Sequence, residues 1–111
     1  MFQKKRKNQE EYAPVITLRN VNNSREKYQY HLKGCMVIGR DAALCDISFP
    51  DNMTVSHRQC RLYTEDGDVY LMDLEGTNAT YVNNQKVTQD VMLRSGDIIG
   101  FGNADYYIRI N

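Results

Sequence analysis

Short segments rich in β-branched and aromatic residues follow one another from Pro14 to the end of the chain, each bounded by a turn signal. The segment VITLRNV, which begins at Val15, and the segment DYYIRI, which ends at Ile110, have the composition and alternation of strands. The runs EDGD and VNNQKV mark tight turns between such segments, because Gly and Asn tolerate a positive φ. No window of ten or more residues has a helical period, so no long helix is expected. The pattern predicts an all-β protein, either a sandwich or a barrel.

Length and charge limit what such a protein does. The 111 residues suit one domain, and the zero formal net charge gives no whole-domain attraction to nucleic acid or to an anionic membrane. The charge is uneven, since four basic residues lie at positions 4–7. We interpret residues 1–13 as a basic, disordered tail and residues 14–111 as the domain. A positive flank beside a membrane span of a longer chain is one alternative for the tail, and a nucleic-acid contact is another.

The sequence also bears on the cellular compartment. No apolar run approaches the roughly 20 residues that span a bilayer, and no secretory signal follows the basic start. The three cysteines are an odd number without CxxC spacing, which favours reduced thiols. We therefore expect a cytoplasmic location, either for an independent protein or for the cytoplasmic part of a membrane-anchored one, with no membrane insertion by this segment.

The stretch FPDNMTVSHRQC, which ends at Cys60, collects several reactive side chains in one predicted loop. A hydrolase would need Ser56 or Cys60 within reach of a base such as His57, with a third group to orient that base. On a strand, positions 57 and 60 face opposite sides, and Cys60 suits a core position better than a nucleophile. The histidines and cysteines have no zinc-ligand spacing. We expect no enzyme, no cofactor and no metal.

Phosphate binding fits the loop residues better. Arg40 stands where one strand ends, Ser56 lies in the next loop, and GTNAT supplies Thr77, Asn78 and Thr80 in a third. An oxyanion prefers a guanidinium fork together with several neutral donors. Loops at one end of a sandwich can converge, so these three segments together are candidates to hold a phosphate.

Several short motifs occur along the chain in a particular order. They are a Gly-Arg in VIGR, an Asp-Ile before a strand, a serine and histidine in VSHRQ, an Asp-Leu that leads to GTNAT and VNN, and a late Gly-Asp. In this order and spacing the chain resembles the forkhead-associated (FHA) domain family from about Val15 to Ile110. The resemblance implies a β-sandwich of about eleven mostly antiparallel strands that binds phosphothreonine peptides through loops at one end.

The resemblance also implies roles for individual residues. It matches the family's phosphate ligands to Arg40, Ser56 and Thr77. It gives Asn78 the peptide backbone as its ligand and places His57 where it can touch phosphate or peptide. We also expect Asn83 to contribute to peptide selectivity.

Three positions are expected to shape the binding loops rather than to touch the ligand. Gly39 corresponds to a glycine that lets the loop beginning at Arg40, the arginine loop, turn. Gln59 stands where the family has a histidine that braces the loops, and Ala79 replaces the glycine of an Asn-Gly-Thr motif. If position 79 needs a positive φ, alanine costs about 1 kcal/mol there.

Three hypotheses follow for the function. The first is a phosphopeptide-binding signalling module whose partner is a phosphothreonine-containing protein or peptide, with no nucleic acid involved. The second is a phosphate-independent protein–protein interaction domain of the same fold, which the changes at Gln59 and Ala79 favour. The third is a thiol or serine hydrolase that uses Cys60 or Ser56, although nothing in the sequence requires one.

Overall fold

The computed structural model describes residues 12–111 and contains eleven strands. In chain order they are β1 (Val15–Asn20), β2 (Lys27–His31), β3 (Cys35–Gly39), β4 (Ile47–Ser48), β5 (Cys60–Glu65), β6 (Asp68–Asp73), β7 (Thr80–Val82), β8 (Gln85–Lys86), β9 (Val91–Leu93), β10 (Ile98–Phe101) and β11 (Ala104–Ile110). Residues 1–11 of the predicted tail lie outside the described residues. Tyr12, which we assigned to the tail, packs against the core of the domain.

The strands form two sheets that pack face to face. The six-stranded sheet has the order β2-β1-β11-β10-β7-β8, and the five-stranded sheet has the order β4-β3-β5-β6-β9. All neighbouring strands are antiparallel except β3 and β4, which are parallel. The predicted all-β sandwich is therefore confirmed. Between residues 12 and 111 there is no helix, and hence none that could cross a membrane.

Alternation along the strands builds the core. Ile16 and Leu18 of β1 face inward and are fully buried, as are Leu62 of β5 and Leu71 of β6 from the opposite sheet. An aromatic cluster closes one end of this core, with ring centroids 5.0–6.1 Å apart. Its members are Tyr28, Phe49, Phe101 and Tyr106. Burial of such side chains at roughly 25 cal/mol per Å² is the main stabilising contribution.

The connections between strands divide into two groups at opposite ends of the sandwich. The turns at Asp66-Gly67 and Asn83-Asn84 have positive φ at both residues, as the sequence predicted for tight hairpins. These turns lie at one end. The opposite end, which we call the loop end, carries the connections 40–46, 49–59, 74–79 and 102–103.

Candidate functional site

Arg40 begins the first connection of the loop end, directly after β3. Its backbone N–H donates to the carbonyl of Ser56 over 2.9 Å, and its Nε donates to the carbonyl of Val55 over 2.9 Å. One Nη lies 3.2 Å from Nε2 of His57, and the other lies 3.8 Å from the sulfur of Met53. The loop 49–59 therefore fixes the direction of the guanidinium, while the Nη groups keep N–H donors for a ligand.

Gly39 allows the two loops to touch. A Cβ at this position would lie 2.5 Å from the carbonyl oxygen of His57 and 2.9 Å from the sulfur of Cys45. These distances are well inside van der Waals contact, and one of them involves backbone. Only glycine lets the chain at the start of the arginine loop lie this close to the neighbouring loop.

Ser56 is the residue at which three connections meet. It is 7% exposed, and its hydroxyl oxygen accepts a 3.1 Å hydrogen bond from the backbone N–H of Asn78. Its carbonyl accepts from Arg40, as described above. A Cβ on Gly76 would lie 2.5 Å from the Ser56 hydroxyl oxygen, so the third connection packs directly on the serine. The hydroxyl hydrogen of Ser56 has no acceptor among residues 12–111 and can serve a ligand.

Gln59 holds the same loops together from the core side. It is fully buried, and its Oε1 accepts a 2.9 Å hydrogen bond from the Ser56 backbone N–H. Its Nε2 donates to the carbonyl of Asn78 and to the hydroxyl of Thr80, both over 2.9 Å. Thr80 in turn donates to the Asp73 carboxylate over 2.7 Å. Every polar atom of this buried amide is satisfied, so glutamine bridges 49–59 and 74–79 without a histidine.

The connection 74–79 presents Thr77 and Asn78. Thr77 is exposed and lines a cavity of about 660 Å³ together with Glu75 and Lys86. The Asn78 side chain donates through Nδ2 to the carbonyl of Thr54, which ties it to the neighbouring loop and leaves Oδ1 without a protein partner in the described range. Ala79 does not have a positive φ, so the cost that a left-handed conformation would bring does not arise.

A further contact at the loop end was not expected from the sequence. The backbone N–H of Asn103 donates to the Thr54 hydroxyl over 3.0 Å, and the Asn52 side chain donates to Asn103 Oδ1 over 2.9 Å. Gly102 has a φ of 60°, and a Cβ there would collide with Thr54. The β10–β11 turn therefore supports the loop that carries Ser56. Positions so far apart in the chain offered no local signal for this contact.

Asn83 lies elsewhere. Strand β7 leads away from Asn78, and its three residues span about 10 Å. The Asn83 side chain is bonded at the far end, where its Nδ2 donates to Asp97 and its Oδ1 accepts from the Ile98 backbone, at 3.0 and 2.9 Å. The structure thus separates Asn83 from the other predicted site residues, and we withdraw its assignment to peptide binding.

The residues considered for catalysis or metal binding do not meet. Cys60 is fully buried in the core, and burial raises the pKa of its thiol. His57 is exposed and lies beside Arg40. In the part of the chain that the structure describes, no three His, Cys, Asp or Glu side chains cluster as a metal site requires.

A family model for the FHA domain matches residues 36–102, the range that contains the arginine loop, Ser56 and the connection 74–79. The chain belongs to the FHA domain family. This match confirms the resemblance seen in the sequence, and FHA domains are binding modules.

Solved FHA domains support the same conclusion over most of the chain. One, described as a structural and functional analysis of phosphothreonine-dependent FHA domain interactions, is 32% identical. It aligns with 87% of this chain and 97% of its own, with a TM-score of 0.75. The FhaA FHA domain, solved in complex with an intracellular domain of another protein, is 33% identical. It covers 85% of this chain and 99% of its own, with a TM-score of 0.72.

Curated relatives are much longer proteins. The E3 ubiquitin-protein ligase CHFR of Xenopus laevis is 44% identical over 66 residues, which are 56% of this chain and 10% of the ligase. The proliferation marker protein Ki-67 of Mus musculus is 30% identical over 87 residues, which are 78% of this chain and 3% of that protein. The chain therefore spans a tenth or less of the length of these relatives.

Proposed function

We propose that this FHA domain binds phosphothreonine peptides and that Arg40, Ser56 and Thr77 hold the phosphate at the loop end. The observation that carries the proposal is that Ser56 accepts two hydrogen bonds, at its carbonyl from the Arg40 amide over 2.9 Å and at its hydroxyl oxygen from the Asn78 amide over 3.1 Å. Through these bonds, the loop that bears the arginine and the loop that bears Thr77 are both attached to one serine. This attachment of both loops to one serine supports a shared oxyanion site.

The donors at this point suit a phosphate monoester. Such a phosphate carries nearly two negative charges at pH 7 and three acceptor oxygens. The Nη groups of Arg40, the hydroxyl hydrogen of Ser56 and the exposed hydroxyl of Thr77 are available to it. Two or three hydrogen bonds to a charged group, at about 1.5–3 kcal/mol each, make phosphorylation worth on the order of a 100-fold gain in affinity or more.

The peptide backbone would be held beside the phosphate. We assign this role to Asn78, because its Nδ2 is anchored on Thr54 and its Oδ1 remains available to accept an N–H. A rigid carboxamide fixes the register of an extended peptide relative to the phosphate. His57, exposed and next to the Arg40 guanidinium, flanks the same point.

The two departures from the family motif do not favour the phosphate-independent alternative. Gln59 joins the two loops through three hydrogen bonds of 2.9 Å, and Ala79 sits in an ordinary backbone conformation. The likeness to a solved FHA domain whose interactions are described as phosphothreonine-dependent also supports the phosphate-binding proposal. The burial of Cys60 argues against the hydrolase hypothesis, so we propose a binding role without turnover.

We also propose a cellular location and a partner for the domain. The three cysteines are free thiols, which suits a cytoplasmic location. We propose a phosphothreonine-containing protein as the partner and no role for nucleic acid.

The experiment that tests the proposal is a screen of the protein against a degenerate phosphothreonine-peptide library and against the same library without phosphate. Arg40→Ala serves as the loss-of-site variant, and Arg94→Ala, at an exposed arginine of the opposite end, is the matched control. We expect enrichment of phosphopeptides by the parent protein and by Arg94→Ala, and none by Arg40→Ala. Equal retention of both libraries by the parent protein would contradict the proposal and select the phosphate-independent alternative.

A further inference from the structure

The outer faces of the two sheets differ in character. On the six-stranded sheet, the outward positions are mostly polar or charged, with two exposed tyrosines, Tyr81 and Tyr107, among them; the others include Arg19, Lys27, Gln29, Asp105 and Arg109. On the five-stranded sheet, the outward positions between the buried ones form what we call the tyrosine face: Cys35, Val37, Arg61, Tyr63, Tyr70, Met72 and Met92. Six of these seven side chains are apolar, aromatic or thiol, so this face is not built for water alone.

Strand register arranges the tyrosine face in two rows. The first row runs Cys35, Tyr63, Tyr70 and Met92 across β3, β5, β6 and β9. The rings of Tyr63 and Tyr70 stack in this row, with centroids 5.5 Å apart and planes at 17°. The second row places Arg61 directly between Val37 and Met72.

Arg61 is the one charged residue among these seven and has an unusual environment. The carboxylates of this outer face lie away from its row: Glu65 and Asp68 pair at the β5–β6 turn, and Asp90 accepts from the Tyr63 hydroxyl over 2.6 Å. Its Nε is buried without a hydrogen-bond partner, and its guanidinium has no carboxylate or other acceptor within residues 12–111. A half-buried cation with an unused donor is costly unless an acceptor is brought to it. By contrast, Arg40 and Arg19 each donate to backbone carbonyls.

We propose that the tyrosine face is a second binding surface, which takes an unphosphorylated segment of another protein whose carboxylate pairs with Arg61 between apolar side chains. The apolar rows supply the area, and the unpaired guanidinium supplies the charge complementarity that identifies the partner as acidic at its centre. A planar guanidinium prefers a carboxylate in bidentate geometry. The proposal goes beyond phosphopeptide recognition, because none of these side chains belongs to the loop end.

The first test measures the stability of Arg61→Met, which keeps the apolar stem and removes the unpaired charge. Thermal unfolding should show a melting temperature raised by a few degrees, because an unsatisfied donor is lost and an apolar row is completed. Arg109→Met, at an exposed arginine of the other outer face, should not raise it. A lower melting temperature for Arg61→Met would mean that Arg61 stabilises the fold, and would overturn the proposal.

The second test measures binding with a display library of short unphosphorylated peptides, divided into a half with a fixed central Glu and a half with Gln. We expect the protein to enrich only the Glu half, and Arg61→Met to lose affinity for the enriched peptides by on the order of tenfold or more. Arg40→Ala should bind them unchanged, which separates this outcome from any failure of the phosphate site.

Three results of the binding test would also overturn the proposal. They are equal enrichment of both halves of the library, retention of binding by Arg61→Met, and dependence of the selected peptides on Arg40. Self-association of the parent protein in sedimentation experiments, abolished in Arg61→Met, would identify a second copy of this chain as the occupant and would likewise contradict the acidic partner.

Discussion

The hydroxyl oxygen of Ser56 accepts a hydrogen bond from the backbone N–H of Asn78, with 3.1 Å between the two atoms. This bond occupies the acceptor side of the hydroxyl, and its hydrogen is left for a ligand. It also joins two connections of the loop end that are separated by strands β5 and β6. The same serine thus joins the loops and, in our proposal, donates its hydroxyl hydrogen to the phosphate.

Replacement of Ser56 by alanine should therefore affect binding and stability together. We expect Ser56→Ala to weaken phosphopeptide binding by about 10–100-fold through loss of one hydrogen bond to a charged group. It should lower the free energy of unfolding by about 1 kcal/mol, because the Asn78 N–H loses its partner. Calorimetric titration and urea unfolding measure the two effects, with Ser24→Ala at an exposed position as the control. Unchanged affinity would show that the hydroxyl does not touch the phosphate.

The bridging amide of Gln59 makes an isosteric test possible. In Gln59→Glu, the atom that donates to Asn78 and Thr80 becomes an acceptor, and a charge is buried. We expect the free energy of unfolding to fall by about 3 kcal/mol or more at neutral pH, since a donor is lost and the new carboxylate is desolvated. The loss should shrink in acid, where a protonated carboxyl can donate. Urea unfolding of the parent protein and of Gln59→Glu at neutral and at acidic pH checks this. An equal loss of unfolding free energy at the two pH values would count against the bridging role of Gln59.

Gly76 should tolerate alanine only if Ser56 is made smaller. A Cβ there would lie 2.5 Å from the Ser56 hydroxyl oxygen and 2.6 Å from its Cβ, although Gly76 has no positive φ that demands glycine. We expect Gly76→Ala to destabilise the domain by about 1–3 kcal/mol through overpacking. In the double variant with Ser56→Gly, part of that loss should be recovered. Additive losses in a double-mutant cycle would show that the two residues do not collide.

Stability in acid should depend on Glu26. Its carboxylate accepts hydrogen bonds from Tyr28 at 2.6 Å, Tyr106 at 2.7 Å and Asn20 at 2.8 Å, and these bonds, led by that from Tyr28, lower the pKa of Glu26. A carboxylate with a lowered pKa stabilises the fold above its unfolded pKa of about 4.3, and this contribution is lost as the pH falls through the folded value.

The corresponding variant is Glu26→Gln. We expect the parent protein to be more stable than Glu26→Gln at neutral pH and the difference to narrow below about pH 4. Denaturant unfolding over this pH range measures the difference. A gap that stays constant into acid would show that the charge of Glu26 contributes nothing.

Much of the fold could be predicted from the sequence because its longer strands show the composition and alternation of β-structure. The sandwich, the absence of long helices and the turns at Asn83-Asn84 and Asp66-Gly67 followed from local pattern. Strand β9 was not identified, since Val91–Leu93 is three residues long and too short for a period to be visible. Pairing order and the orphan donor of Arg61 depend on contacts between distant segments, on which local pattern carries no information.

The candidate site was predictable to the level of its loops. The sequence located Arg40, Ser56 and Asn78 in three connections, and the structure joins those connections by hydrogen bonds. It did not reveal how Gln59 satisfies two loops at once, because this requires the relative positions of three segments. Asn83 was assigned to peptide binding as a loop residue, but its turn follows β7, and its side chain is bonded to Asp97 and Ile98.

The most direct test of the central claim is the affinity of a phosphothreonine peptide selected from the library, compared with its unphosphorylated form, for the parent protein and for Arg40→Ala. We expect a preference for the phosphorylated peptide of on the order of 100-fold or more in the parent protein, and almost no preference in a folded Arg40→Ala variant. A phosphate preference that persists undiminished without the Arg40 guanidinium would contradict the claim.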